Sequence, residues 1–167
     1  MRGFLMMAAA FGALAACQPA RAPDAATAPG DFSGLVTEQR TIAQLTEVMA
    51  GGGTAASITQ SYLDRIAAVD DAGPTLNAVL AINPNALANS QALDGLAASD
   101  VKPGPLRGIP ILLKDNIETL DPMATTAGSL ALQDNVTNRD SPLAARLRAA
   151  GAIILGKTNR SEWANIR

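Results

Sequence analysis

From about residue 41 the apolar positions settle into readable helix and strand periods. In "TIAQLTEVMAGGG", Ile42, Leu45 and Met49 recur at helical spacing, and Gly51 to Gly53 end the run. "SITQSYLDRIAAVD" repeats the pattern, with Ile58, Tyr62, Ile66 and Val69 on one face. Residues 76–82, "LNAVLAI", are short, apolar and followed by Asn-Pro, which predicts a strand. A third helix is expected to start at Asn83 with Pro84 in its first position. After the loop "DVKPGPLRG" comes an apolar strand, "IPILLKD", and then a polar stretch from Ile117 to Arg139 with little periodicity. A loop that long inside a compact domain usually has a function. "DSPLAARLRAAG" is a punctuated helix: Ser141 caps it, Pro142 takes the first turn and Gly151 stops it. "AIILGKT" is the next strand. Strands alternating with helices predict an α/β fold with a largely parallel or mixed sheet.

The 167 residues leave room for about one domain. With 48% apolar residues, 17% charged and a net charge of -2, the composition is globular, with no basic field for nucleic acid. Two absences narrow the chemistry further. There is no histidine, which excludes a Ser-His-Asp triad, a Cys-His pair and a histidine metal site within this chain. A single cysteine, Cys17, excludes a disulfide framework and a Cys-rich zinc site. No metal or cofactor is expected.

The amino terminus reads as an address. Arg2 supplies a positive start, and Phe4 to Ala13 an apolar run too short to span a bilayer. "LAAC", Leu14 to Cys17, resembles the bacterial lipoprotein lipobox. That resemblance implies a signal peptide over residues 1–16 and lipidation of Cys17, palmitate among the acyl chains. Two or three such chains hold a protein stably at a membrane. Gln18, rather than Asp, then favours the outer membrane, facing the periplasm, in a cell with two membranes. An ordinary secretory signal with an incidental cysteine is the plainer alternative. Residues 17–40 are rich in Ala and Pro without periodicity and read as a flexible tether.

One motif fails on context. "GAIILGKT", Gly151 to Thr158, fits the phosphate-loop pattern letter by letter. That loop needs a strand before its first glycine and a helix near its lysine. Here a helix precedes and an apolar strand follows, so no nucleotide is expected, and Lys157 reads as an ordinary strand-end lysine.

The other strand-end lysine is harder to dismiss. "LRGIPILLKDNI" ends a buried-looking strand on Lys114, although lysine is seldom buried without a partner. From spacing alone, solvation is the commoner fate of such a residue. The surrounding blocks, however, closely resemble the amidase signature family of serine hydrolases from about Thr41 to Arg167. They are Gly108-Ile109-Pro110, Lys114-Asp115-Asn116, Thr125-Thr126-Ala127-Gly128-Ser129, and Gly156-Lys157-Thr158-Asn159 with Glu162. What the resemblance implies is a Ser-cisSer-Lys triad in which Lys114 is the base. The reaction would be hydrolysis of a small amide or peptide amide through an acyl-enzyme. It also implies a mixed sheet flanked by helices.

A lysine base working near neutrality needs a pKa close to 7 instead of about 10.4, which at 1.36 kcal/mol per unit disfavours its charged form by roughly 4 kcal/mol. Burial beside Ile111, Leu112 and Leu113 is expected to supply part of this. Asp115 is then expected to point away and brace backbone. Asp115, Asn116, Thr125, Thr126, Gly128 and Ser129 are candidates for orienting Lys114 or lining a pocket. The segment from Thr125 to Ser129 reads equally well as a turn satisfying its own backbone.

The family's glycine- and serine-rich signature, which carries both catalytic serines, has no counterpart here; Ser129, Ser141 and Ser161 lack its context. The expectation is therefore the amino-terminal part of an amidase domain over residues 41–167, incomplete and inactive alone. Within the family, the glutamine-hydrolysing component of tRNA amidotransferase fits poorly with an exported lipoprotein. The alternative from another class is a non-catalytic envelope lipoprotein that binds a partner.

Overall fold

The computed structural model describes residues 40–96 and 104–160. The expected signal peptide, Cys17 and the tether up to residue 39 lie outside the described residues, as does Glu162. Among the described residues, no helix is long and apolar enough to cross a membrane.

Helix α1, Ile42–Ala50, opens on a capping box. The Thr41 hydroxyl accepts from Gln44 N at 3.3 Å, and Gln44 Oε1 accepts from Thr41 N at 2.8 Å. Leu45 is buried and Met49 packs beside it, but Ile42 is 51% exposed and does not join the face expected for it. Helix α2, Ala55–Arg65, is capped twice over. Thr54 and Ser57 form a second box, and the Asp94 carboxylate reaches across to Ala55 N at 2.8 Å and Ala56 N at 2.9 Å. A carboxylate there also faces the positive end of the helix dipole.

Strand β1 is Val79–Ile82, shorter than the 76–82 predicted. Thr75 and Asn77 have positive φ angles, 50° and 51°, which no extended strand allows. A π-helical turn, Ile66–Asp71, extends α2 and buries Asp70, whose carboxylate takes Ala78 N at 2.8 Å and Val79 N at 3.0 Å. The strand starts where that clamp ends. Helix α3, Ala86–Gly95, likewise begins later than expected. Asn83 belongs to the core instead: its N donates to Leu155 O at 2.9 Å, and its Nδ2 donates to Ile154 O at 2.8 Å and Asp121 Oδ1 at 2.9 Å.

Strand β2, Pro110–Lys114, helix α4, Pro142–Ala149, and strand β3, Ile153–Thr158, fall where the pattern puts them. Ser141 Oγ accepts from Ala144 N at 3.2 Å, Pro142 occupies the first turn, and Gly151 supplies a left-handed φ of 91° after the helix.

The described sheet has the order β1-β3-β2, with β1 antiparallel and β2 parallel to the central β3. It is mixed, as predicted. On one face Ile153 and Leu155 pack with Ala86, Tyr62, Leu63, Ile66 and Leu93 of the α2–α3 layer. On the other, Ile154 packs with Leu113, Met123, Ala144 and Leu147. A third cluster, Leu45, Ile58 and Ile109, joins the first two helices to the approach to β2.

The pairing contains one irregularity with consequences. Ile111 pairs with Ile154, but Leu112 pairs with Gly156, so β3 carries an extra residue, Leu155. Such a bulge reverses the alternation of side chains beyond it. Lys157 would otherwise share the face of Ile153 and Leu155. It pairs instead with Leu113 and Ala81 and turns to the Ile154 face. Gly156 lets this happen, because a Cβ there would lie 2.4 Å from Ala81 O.

Candidate functional site

The two strand-end lysines have environments opposite to those expected. Lys114, expected to gain from burial, is exposed at the end of β2. Alternation along the strand sets it on the face opposite buried Leu113, away from the Met123 and Ile154 packing. Lys157, read from sequence as an ordinary strand end, is 0% exposed. Its Nζ donates to Ile117 O and to Thr125 Oγ1, each at 2.8 Å. Burial pushes its pKa down, opposed by the negative charges of Asp115, Asp121 and Glu118. With its backbone in the β3 ladder and its amine committed to these oxygens, the glycine-lysine run has no phosphate cradle to offer.

The turn after Lys114 is tightly specified. Ile117 N donates to Lys114 O at 2.9 Å. Asp115 is fully buried; its carboxylate accepts from Thr126 N at 3.2 and 3.3 Å and from the Thr126 hydroxyl, while its carbonyl accepts from Ala127 N at 3.1 Å. Thr126 Oγ1 in turn accepts from Gly128 N at 3.0 Å, and Ser129 N donates to Thr126 O at 2.9 Å. Asn116, within this turn, is exposed.

Residues 125–129 form a turn that also borders a cavity. They satisfy their own turn, and Thr126, Gly128 and Ser129 line a cavity of about 350 Å³ together with Leu80, Ala81 and Arg160. Thr125 faces Lys157, not Lys114. Lys114 is not among the residues lining that cavity.

A second polar cluster escaped the sequence reading. Asp121 accepts from Asn83 Nδ2, from the Thr119 hydroxyl and, at 2.8 Å, from Arg148 Nη2; Arg148 Nε also donates to Asp140 at 3.0 Å. Arg148 holds the Asp140 carboxyl below its usual range. The cluster ties the polar loop to α4 and to the end of β1. A polar residue closing an apolar run, such as Asn83 after Ile82 or Lys157 after Leu155-Gly156, was the available signal. Period alone does not distinguish such a residue from a solvated strand end.

A family model described as Amidase matches residues 57–167. The chain belongs to the amidase family. Its amidase relatives include a putative amidase of Schizosaccharomyces pombe, 41% identical over 134 residues, a match covering 80% of this chain and 22% of that protein. A glutamyl-tRNA(Gln) amidotransferase component from Salinispora arenicola is 42% identical over 118 residues, covering 70% and 23%. Among solved amidases, the native peptide amidase of Stenotrophomonas maltophilia superposes with a TM-score of 0.74 at 49% identity, over 78% of this chain and 27% of that one. A peptide amidase in complex with the competitive inhibitor chymostatin gives 0.73 at 50% identity. The chain thus spans about a quarter of the length of the amidases it matches.

Proposed function

We propose that this segment supplies the lysine base of an envelope-tethered amidase acting on small amides or peptide amides. The observation that carries the reading is the 49% identity to the peptide amidase across a shared fold, in a segment that includes the Lys114-Asp115-Asn116 block. Peptide amides are favoured over glutamine because that likeness is higher and covers more of the chain than the 42% match to the amidotransferase component. Cys17, as the lipid acceptor, would hold the enzyme at the membrane.

In an enzyme carrying this segment together with the family's serine signature, unprotonated Lys114 accepts a proton from the bridging serine. That serine takes the proton of the nucleophilic hydroxyl as its oxygen attacks the amide carbon. The proton returns to the leaving nitrogen as the C–N bond breaks, and water then cleaves the acyl-enzyme through the same relay. The products are a carboxylic acid and ammonia or an amine. Exposure of Lys114 at the end of β2 leaves its amine open to a partner on that face. The test is Lys114→Ala in such an enzyme, which is expected to abolish amide hydrolysis with the fold intact. Turnover near the wild-type rate would overturn the assignment.

A further inference from the structure

Lys157 is a buried cation that the proposed reaction does not use. A buried lysine costs stability relative to an apolar side chain of similar length, so packing alone does not call for it here. Its position is also specific. Leu113, its neighbour on β2, immediately precedes Lys114, and Nζ reaches past it to Ile117 O, the last residue of the turn that Lys114 opens. The second acceptor, Thr125 Oγ1, lies next to Thr126, which holds the Asp115 carboxylate. Two polar clamps, Asp115 on Thr126 and Lys157 on Ile117 and Thr125, therefore fix the backbone on the carboxyl side of Lys114 from opposite ends.

We infer that Lys157 is a positioning residue for Lys114, its amine locking the 114–117 turn to β3 so that the Lys114 side chain leaves the sheet in one direction. The inference rests on the reading of Lys114 as the base. Misplacing a reacting group by about 1 Å costs roughly 100-fold in rate, and such a loss falls on kcat because Lys114 acts on the reacting atoms.

The variants are Lys157→Met, Thr125→Val and Thr125→Ser, with Lys114→Ala alongside. Two measurements apply: amide hydrogen exchange at Ile117 in this chain, and steady-state release of ammonia from an acylated dipeptide amide by the full-length amidase carrying it. Lys157→Met and Thr125→Val are expected to speed exchange at Ile117 at least tenfold and to lower kcat by roughly 10- to 100-fold, with KM within about twofold. Thr125→Ser, which keeps the hydroxyl, is expected to restore both. If Lys157→Met does not fold, the Thr125 pair decides by the same criteria. Unchanged exchange, or unchanged kcat in Lys157→Met and Thr125→Val while Lys114→Ala is dead, overturns the inference alone. Turnover by Lys114→Ala sinks the functional reading instead.

Discussion

Leu113 stands beside Lys157 in the sheet, and that one pairing explains how a lysine comes to be buried here. Without the extra residue at Leu155, Leu113 would face Gly156 and the lysine would turn toward the α2–α3 layer. With it, the amine meets Ile117 O and Thr125 Oγ1 on the opposite face.

Gly156→Ala tests the close approach on which this register depends. The added methyl would sit 2.4 Å from Ala81 O, a backbone atom that cannot rotate aside. The cost is expected to be about 1–3 kcal/mol, the usual range for overpacking, read as a lowered urea midpoint. An unchanged midpoint would show that β1 and β3 separate more easily than the pairing implies.

Lys157 makes a signed prediction about alkaline stability. Burial puts its folded-state pKa below the unfolded value of 10.5. Between those two values the unfolded chain binds more protons than the folded one, so stability rises with pH. Below the folded pKa the penalty is constant. The stability of the wild type relative to Lys157→Met should therefore improve as pH is raised toward 10.5. Urea unfolding of both proteins across that range checks it; a flat or falling difference contradicts the buried amine.

Lys114→Ala should leave the fold almost untouched. The side chain is exposed and its neighbours in the turn are held by backbone and by Asp115. A stability change within about 0.5 kcal/mol is expected, as for ordinary surface positions. A large loss would mean that Lys114 has a structural partner, and would complicate any effect on hydrolysis.

Cys17→Ser addresses the membrane. If Cys17 carries acyl chains, the wild type partitions into detergent and the variant into the aqueous phase, because the chains supply the attachment. Equal partitioning would discard the lipoprotein reading in favour of an ordinary secretory signal.

Features that depend on neighbours within a few residues are readable along the chain alone. Ser141, Pro142 and Gly151 bracket α4 through local capping and backbone geometry, and the apolar runs around Ile111 and Ile154 specify strands through burial. The family blocks around Lys114 and Lys157 were legible for the same reason, as contiguous strings. The remaining features depend on partners far apart in the chain. Asp70 starts β1 late, Asn83 leaves its expected helix for Asp121 and Ile154, and the bulge at Leu155 turns Lys157 into the core. A side chain's face in a sheet depends on the register with the adjacent strands. Register is a property of the pair, so no single strand's pattern contains it.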